Sequence, residues 1–184
     1  MWNLLNYKMT TRNTIIGPTA DAIQTLEAKD KDALASVYPK IISAYHYIND
    51  KVIKEAVWEN INVEILKAAN YDVHSEAEGS HKSGADIDCS LGSFSNKSSK
   101  YEKSGKLFKI SSYRLTKVCK ADGTDCIESI KKEINDRKNF QFYSIIVRDE
   151  SSKGTKIKYD WYLIPATDPI FDPETYKWLS LIHI

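Results

Sequence analysis

The residues best placed to do chemistry are two carboxylates and a lysine. In Gly84-Ala85-Asp86-Ile87-Asp88, apolar Ala85 and Ile87 alternate with Asp86 and Asp88, so on a strand both carboxylates share one face. Two acids on one face repel and desolvate poorly unless a cation lies between them, and oxygen-ligated Mg2+ is the natural partner. Lys97 follows eleven residues after Asp86, so a lysine on the next strand can meet the first carboxylate. A metal that activates water, beside an ammonium that stabilises developing negative charge or orients that water, supplies what phosphodiester hydrolysis requires. The bland counterpart is an exposed acidic strand edge. His81 lies five residues before Asp86 in a Gly/Ser loop, where it can contact phosphate or assist proton transfer, or serve only as a surface hydrogen-bonder.

Charge is segregated along the chain although the net charge is only +1. Residues 21–78 hold 11 acids against 6 bases, whereas residues 97–120 hold 8 bases against Glu102 alone. That division suggests a local anion-binding face, with a solvated lysine-rich hairpin as the alternative. Ser112, Tyr113 and Arg114 offer hydroxyls and a guanidinium for phosphate oxygens or a base edge, and Lys100 and Lys109 suit sequence-independent backbone contacts.

The elements that must position these residues follow from periodicity. Residues 19–69 carry apolar side chains at helical spacing, with Asn49-Asp50 placed to break them into two helices. Glycines punctuate segments 85–91, 93–99 and 106–113, which read as strands. Asp125 and Glu128 can cap a helix whose stripe is Ile127, Ile130 and Ile134, and segments 140–147 and 157–164 read as buried strands. His46, between two tyrosines in a helical pattern, is expected to pack. The aromatics around the last strand, including Tyr159, Trp161, Tyr162 and Phe171, are expected mainly in core and edge packing.

At the Gly79-Ser80-His81-Lys82-Ser83-Gly84-Ala85-Asp86-Ile87 segment, and at Lys97-Ser98-Ser99-Lys100 and Ile110-Ser111-Ser112-Tyr113-Arg114-Leu115, the sequence resembles the PD-(D/E)xK nuclease superfamily, specifically type II restriction endonucleases. The resemblance implies a mixed α/β (α+β) fold: a restriction-endonuclease-like core of helix, three strands, helix and strand around a central mixed sheet, preceded by an N-terminal helical region. It implies Mg2+-dependent hydrolysis of double-stranded DNA by a homodimer. Asp86 matches the metal-binding aspartate and Lys97 the motif lysine, with His81 a further catalytic candidate. The acid expected two residues before the lysine is replaced by Ser95. Asp88 and Glu78 are the favoured substitutes as second metal ligand by proximity, with Glu76 and the helical Glu55 and Glu59 as other sources. Lys109 rivals Lys97, but Leu107 occupies its partner position. A non-catalytic DNA-binding module, and a repair or RNA nuclease of the same fold, are the competing readings.

Length and composition bound the rest. The 184 residues suffice for one domain that needs neither disulfide nor metal to fold, and 7 Gly, 5 Pro and 3 Cys exclude collagen-like, disordered and disulfide-scaffold classes. Cys89, Cys119 and Cys126 show no CxxC spacing, which suits a reducing compartment, so a cytoplasmic location is expected. The expected organisation is an N-terminal segment (1–18) and one domain (19–178), with a helical part at 19–70 and a catalytic sheet region at 71–164. The final Leu-Ser-Leu-Ile-His-Ile at 179–184 resembles a translated sequencing adapter and is expected to be a non-native tail, with the natural gene continuing past Trp178.

Overall fold

The computed structural model describes residues 26–76, 84–102, 107–110, 127–150 and 157–175. Two helices come first. α1 (Ala28–Ile48) buries Leu34, Tyr38 and Ile42, and α2 (Glu55–Ala68) buries a face that includes Trp58, Ile61, Asn62, Ile65 and Leu66. The break falls where the sequence predicts, with Asn49 closing α1. α2 ends in a Schellman turn: Asn70 takes φ 65°, its N–H donates to the Lys67 carbonyl, and the Tyr71 N–H donates to the Leu66 carbonyl.

Five strands follow in a mixed sheet of order β1-β2-β3-β4-β5: Val73–Glu76, Ile87–Cys89, Gly92–Lys100, Phe142–Asp149 and Lys158–Pro165. β1, β2 and β3 run as an antiparallel meander, β3 and β4 are parallel, and β5 returns antiparallel to β4. A parallel pair needs a crossover, and α3 (Ile127–Asp136) lies in that connection. The β2–β3 turn requires glycine. Gly92 has φ 138°, and a Cβ there would lie 2.3 Å from Gln141 Oε1.

Among the described residues the order is thus two helices, three strands, helix and two strands, but the three strands are not those read from sequence. The strand expected at 85–91 is confined to β2, and 93–99 corresponds to β3. Of the strand expected at 106–113, the described part (107–110) contributes a single bridge from Phe108 to Tyr101. Phe108 is held by its ring, edge-on to Tyr101 at 6.0 Å and tilted against Tyr162 at 5.4 Å. β1 was not expected, because Val-His-Ser-Glu has one apolar residue; its place comes from backbone pairing with β2. The N-terminal segment, the Asp125 cap and the 179–184 tail lie outside the described residues.

The core sits between the two helices and one sheet face. Tyr38 stacks on Trp161 at 5.3 Å, Trp58 meets Trp161 edge-on at 5.5 Å, and Phe94 stacks on Phe142 at 5.6 Å. His46 packs as expected, stacking on Tyr159 at 5.3 Å and sharing a hydrogen bond with its hydroxyl. Tyr159 and Trp161 are buried, in accord with a packing role.

A polar seam crosses this core. Asn62 Nδ2 donates to Asn96 Oδ1 (2.7 Å) and Ser144 Oγ (3.0 Å), while Trp58 Nε1 donates to the Ser144 carbonyl and Trp161 Nε1 to Ser144 Oγ. Asn62, Asn96 and Ser144 are fully buried, so these bonds are strong constraints on how α2 lies across β3 and β4. Among the described residues no helix is long and apolar enough to cross a membrane.

Candidate active site

The seam fixes α2 over β3, and the first residue of α2 is Glu55. Its Oε1 accepts a hydrogen bond from Lys97 Nζ at 3.0 Å, and Asp86 Oδ2 stands 3.8 Å from the same ammonium. Three elements therefore meet at Lys97: the start of α2, the residue preceding β2, and the middle of β3. The cluster is partly sheltered, with side-chain exposures of 25% for Lys97 and 20% for Asp86, so its charges interact more strongly than on an open surface.

Asp86 is held from the neighbouring strand. Its Oδ2 accepts from the Asn96 N–H at 2.5 Å and from Ser95 Oγ at 3.3 Å, and its own N–H donates to the Phe94 carbonyl. Ser95, at the position where the resemblance leads one to expect an acid, thus supplies a donor where a carboxylate would face Asp86 with like charge. Asn96 serves both partners, since its carbonyl accepts from Lys97 Nζ at 2.5 Å. Sequence reasoning missed Asn96, because its contribution is main-chain.

Glu59 lies one helical turn after Glu55 and belongs to the same electrostatic group. Its carboxyl is pushed above the ordinary carboxylate range, first by burial and then by the charges of Asp86 and Glu55, with Lys97 opposing. Three carboxylates around one ammonium leave an excess of negative charge.

The other expected site residues are distributed as follows. Asp88 is exposed on β2, in register with Ser93, so the second carboxylate at Lys97 comes from helical Glu55. Lys100 and Lys109 are exposed and paired with Glu150 (3.7 Å) and Glu102 (2.7 Å). His81, Glu78, Ser112, Tyr113 and Arg114 lie outside the described residues. The pair Glu55 and Glu59, four apart on a helix, was the signal in the sequence for carboxylates on one helix face.

Among the described residues no group of three or more His, Cys, Asp or Glu is arranged to hold a metal ion. Mg2+ does not demand such a cage, because it retains several waters and commonly binds through one or two carboxylates plus substrate phosphate. Glu55 and Asp86, hard oxygen donors flanking Lys97 in a region of surplus negative charge, fit that requirement. No family model, no curated protein and no solved structure matches this chain.

Proposed function

We propose that the chain is a Mg2+-dependent endonuclease that hydrolyses phosphodiester bonds in DNA. The observation that carries the reading is the meeting of Glu55 and Asp86 on Lys97 Nζ, at 3.0 and 3.8 Å. The sheet supports it: an antiparallel meander delivers Asp86 and Lys97 to one point, and a helix-linked parallel strand follows, the order expected of a restriction-endonuclease-like core.

In this reading Asp86 and Glu55 would hold the metal, which would supply a water of lowered pKa and a counter-charge for the phosphate. Lys97 orients the attacking water and stabilises charge gathering on the phosphoryl oxygens as the phosphorus–oxygen bond to the leaving group breaks. Ser95 and the Asn96 N–H keep Asp86 aimed, and Asn96 O steadies Lys97. The restriction-type assignment, double-stranded substrate, homodimeric state and cytoplasmic setting follow from the resemblance and cysteine usage stated above.

The test is incubation of supercoiled plasmid with the full chain. Nicked and linear products are expected with Mg2+ and none with EDTA. Intact plasmid with Mg2+ and with Mn2+ overturns the proposal.

A further inference from the structure

We propose that the groove beside Glu55 binds consecutive phosphodiesters of the strand flanking the scissile bond, with Arg148 as its anchoring cation and Glu150 as the anion that the phosphate replaces. The inference deepens the nuclease reading and rests on it for the identity of the anion.

The groove is a shallow, open depression of about 620 Å3 lined by Lys54 and Glu55 at the start of α2, Ser99 and Lys100 at the end of β3, Lys109, and Arg148 on β4. With Ser98 and Ile110 the lining comprises eight residues, four of them cationic. Glu55 also contacts Lys97, so the groove opens directly onto the candidate active site. The helix end there is electropositive, and its N-cap, Lys54, provides no side-chain acceptor for the first-turn N–H groups.

Lys100 and Arg148 are register partners on adjacent parallel strands, which sets two like charges side by side. Like charges so placed repel, and an anion between them relieves the repulsion. Glu150 supplies it: one carboxylate oxygen takes Arg148 Nε at 2.5 Å and the other stands 3.7 Å from Lys100 Nζ. A phosphate offers the same charge and paired oxygens, and a planar guanidinium binds it bidentately. Arg148 is the sheltered member, with 19% of its side chain exposed, whereas Glu150 lies just past the end of β4 at 43%. A fixed cation beside a more exposed counter-ion is a site where an incoming anion can exchange for the internal one.

The far wall is already built. Ser99 Oγ donates to the Lys109 carbonyl at 2.5 Å, and Phe108 is packed against Tyr101 and Tyr162, which anchors the segment that carries Lys109. Tyr101 is tied to Asp160 by a 2.6 Å hydrogen bond. An acidic peptide would match the charge but offer the adjoining carboxylate and lysine cluster no phosphorus to act on.

The experiment measures binding of the full chain to a fluorescent DNA duplex in EDTA, over a range of salt. Arg148→Gln is expected to weaken binding about tenfold and to reduce the slope of log affinity against log salt by about 0.9. Glu150→Gln, which removes the competing anion without touching the strand, is expected to tighten binding. Single-stranded RNA distinguishes the two phosphodiester sources, and binding of either polymer through Arg148 supports the groove. Unchanged affinity and salt slope in both variants, or competition by polyglutamate as strong as by unlabelled duplex, overturns it. Absence of cleavage alongside Arg148-dependent binding counts against the nuclease reading alone, and cleavage with Arg148-independent binding counts against the groove alone.

Discussion

Asp86→Ala is expected to lower the Mg2+-dependent cleavage rate by about 10³-fold or more, equivalent to about 4 kcal/mol of transition-state stabilisation. The size follows from what the side chain does. Asp86 is the carboxylate fixed by the Asn96 N–H and Ser95 Oγ, and it faces the ammonium of Lys97. Removing it deletes a proposed metal donor and leaves Ser95 and Asn96 without the acceptor they now share. The fold is expected to persist, because Lys97 keeps Glu55 and the Asn96 carbonyl as partners and no buried charge is stranded. Circular dichroism should be unchanged. Affinity for DNA should be equal or higher, since one negative charge has left the site.

Lys97→Gln is expected to reduce the cleavage rate by about 10²- to 10³-fold with little change in substrate affinity, the pattern of an interaction made mainly in the transition state. This variant has a second, pH-dependent signature. Lys97 opposes the rise of the Glu59 carboxyl that burial, Asp86 and Glu55 produce. A carboxyl whose pKa is higher in the folded state than in the unfolded one costs stability as pH rises from the unfolded value, about 4.3, through the folded value. Without Lys97 that cost grows. Lys97→Gln should therefore be less stable than the parent at neutral pH, and the gap should narrow once pH falls below the titration range of Glu59. Urea denaturation at several pH values checks this; a gap independent of pH would show that Lys97 does not balance these carboxylates.

Much of the architecture was legible from local pattern, and the site was legible only in part. The helical spacing of Val37, Ile41, Ile42 and Tyr45, then of Val52, Ile53, Ala56, Val57 and Ile61, with the Asn49-Asp50 break, pointed to both N-terminal helices, because one apolar face must be buried at a 3.6-residue period. The polar segment Val-His-Ser-Glu gave no sign of a strand, since its pairing is backbone bonding to β2. The segment around Phe108 has alternating apolar residues, yet aromatic contacts hold its described part and the ladder is reduced to one bridge. Asp86 and Lys97 could be paired from sequence because Asp86 directly precedes β2 and Lys97 lies on the next strand. Glu55 lies 42 residues from Lys97, and only the packing of α2, fixed by Asn62, Asn96 and Ser144, brings it there. Proximity in sequence favoured Asp88, whose β2 position leaves it exposed opposite Ser93.

In the proposed nuclease, helical Glu55 completes the site begun by Asp86 and Lys97. Single-turnover cleavage of DNA with Mg2+ by Glu55→Gln and Asp88→Asn, measured beside the parent chain, tests it most directly. Glu55→Gln should lose about 100-fold or more in rate, in keeping with removal of a charged group from the reacting centre, and Asp88→Asn should stay close to the parent rate. A Glu55→Gln protein that cleaves at the parent rate while Asp88→Asn is inactive would contradict the account.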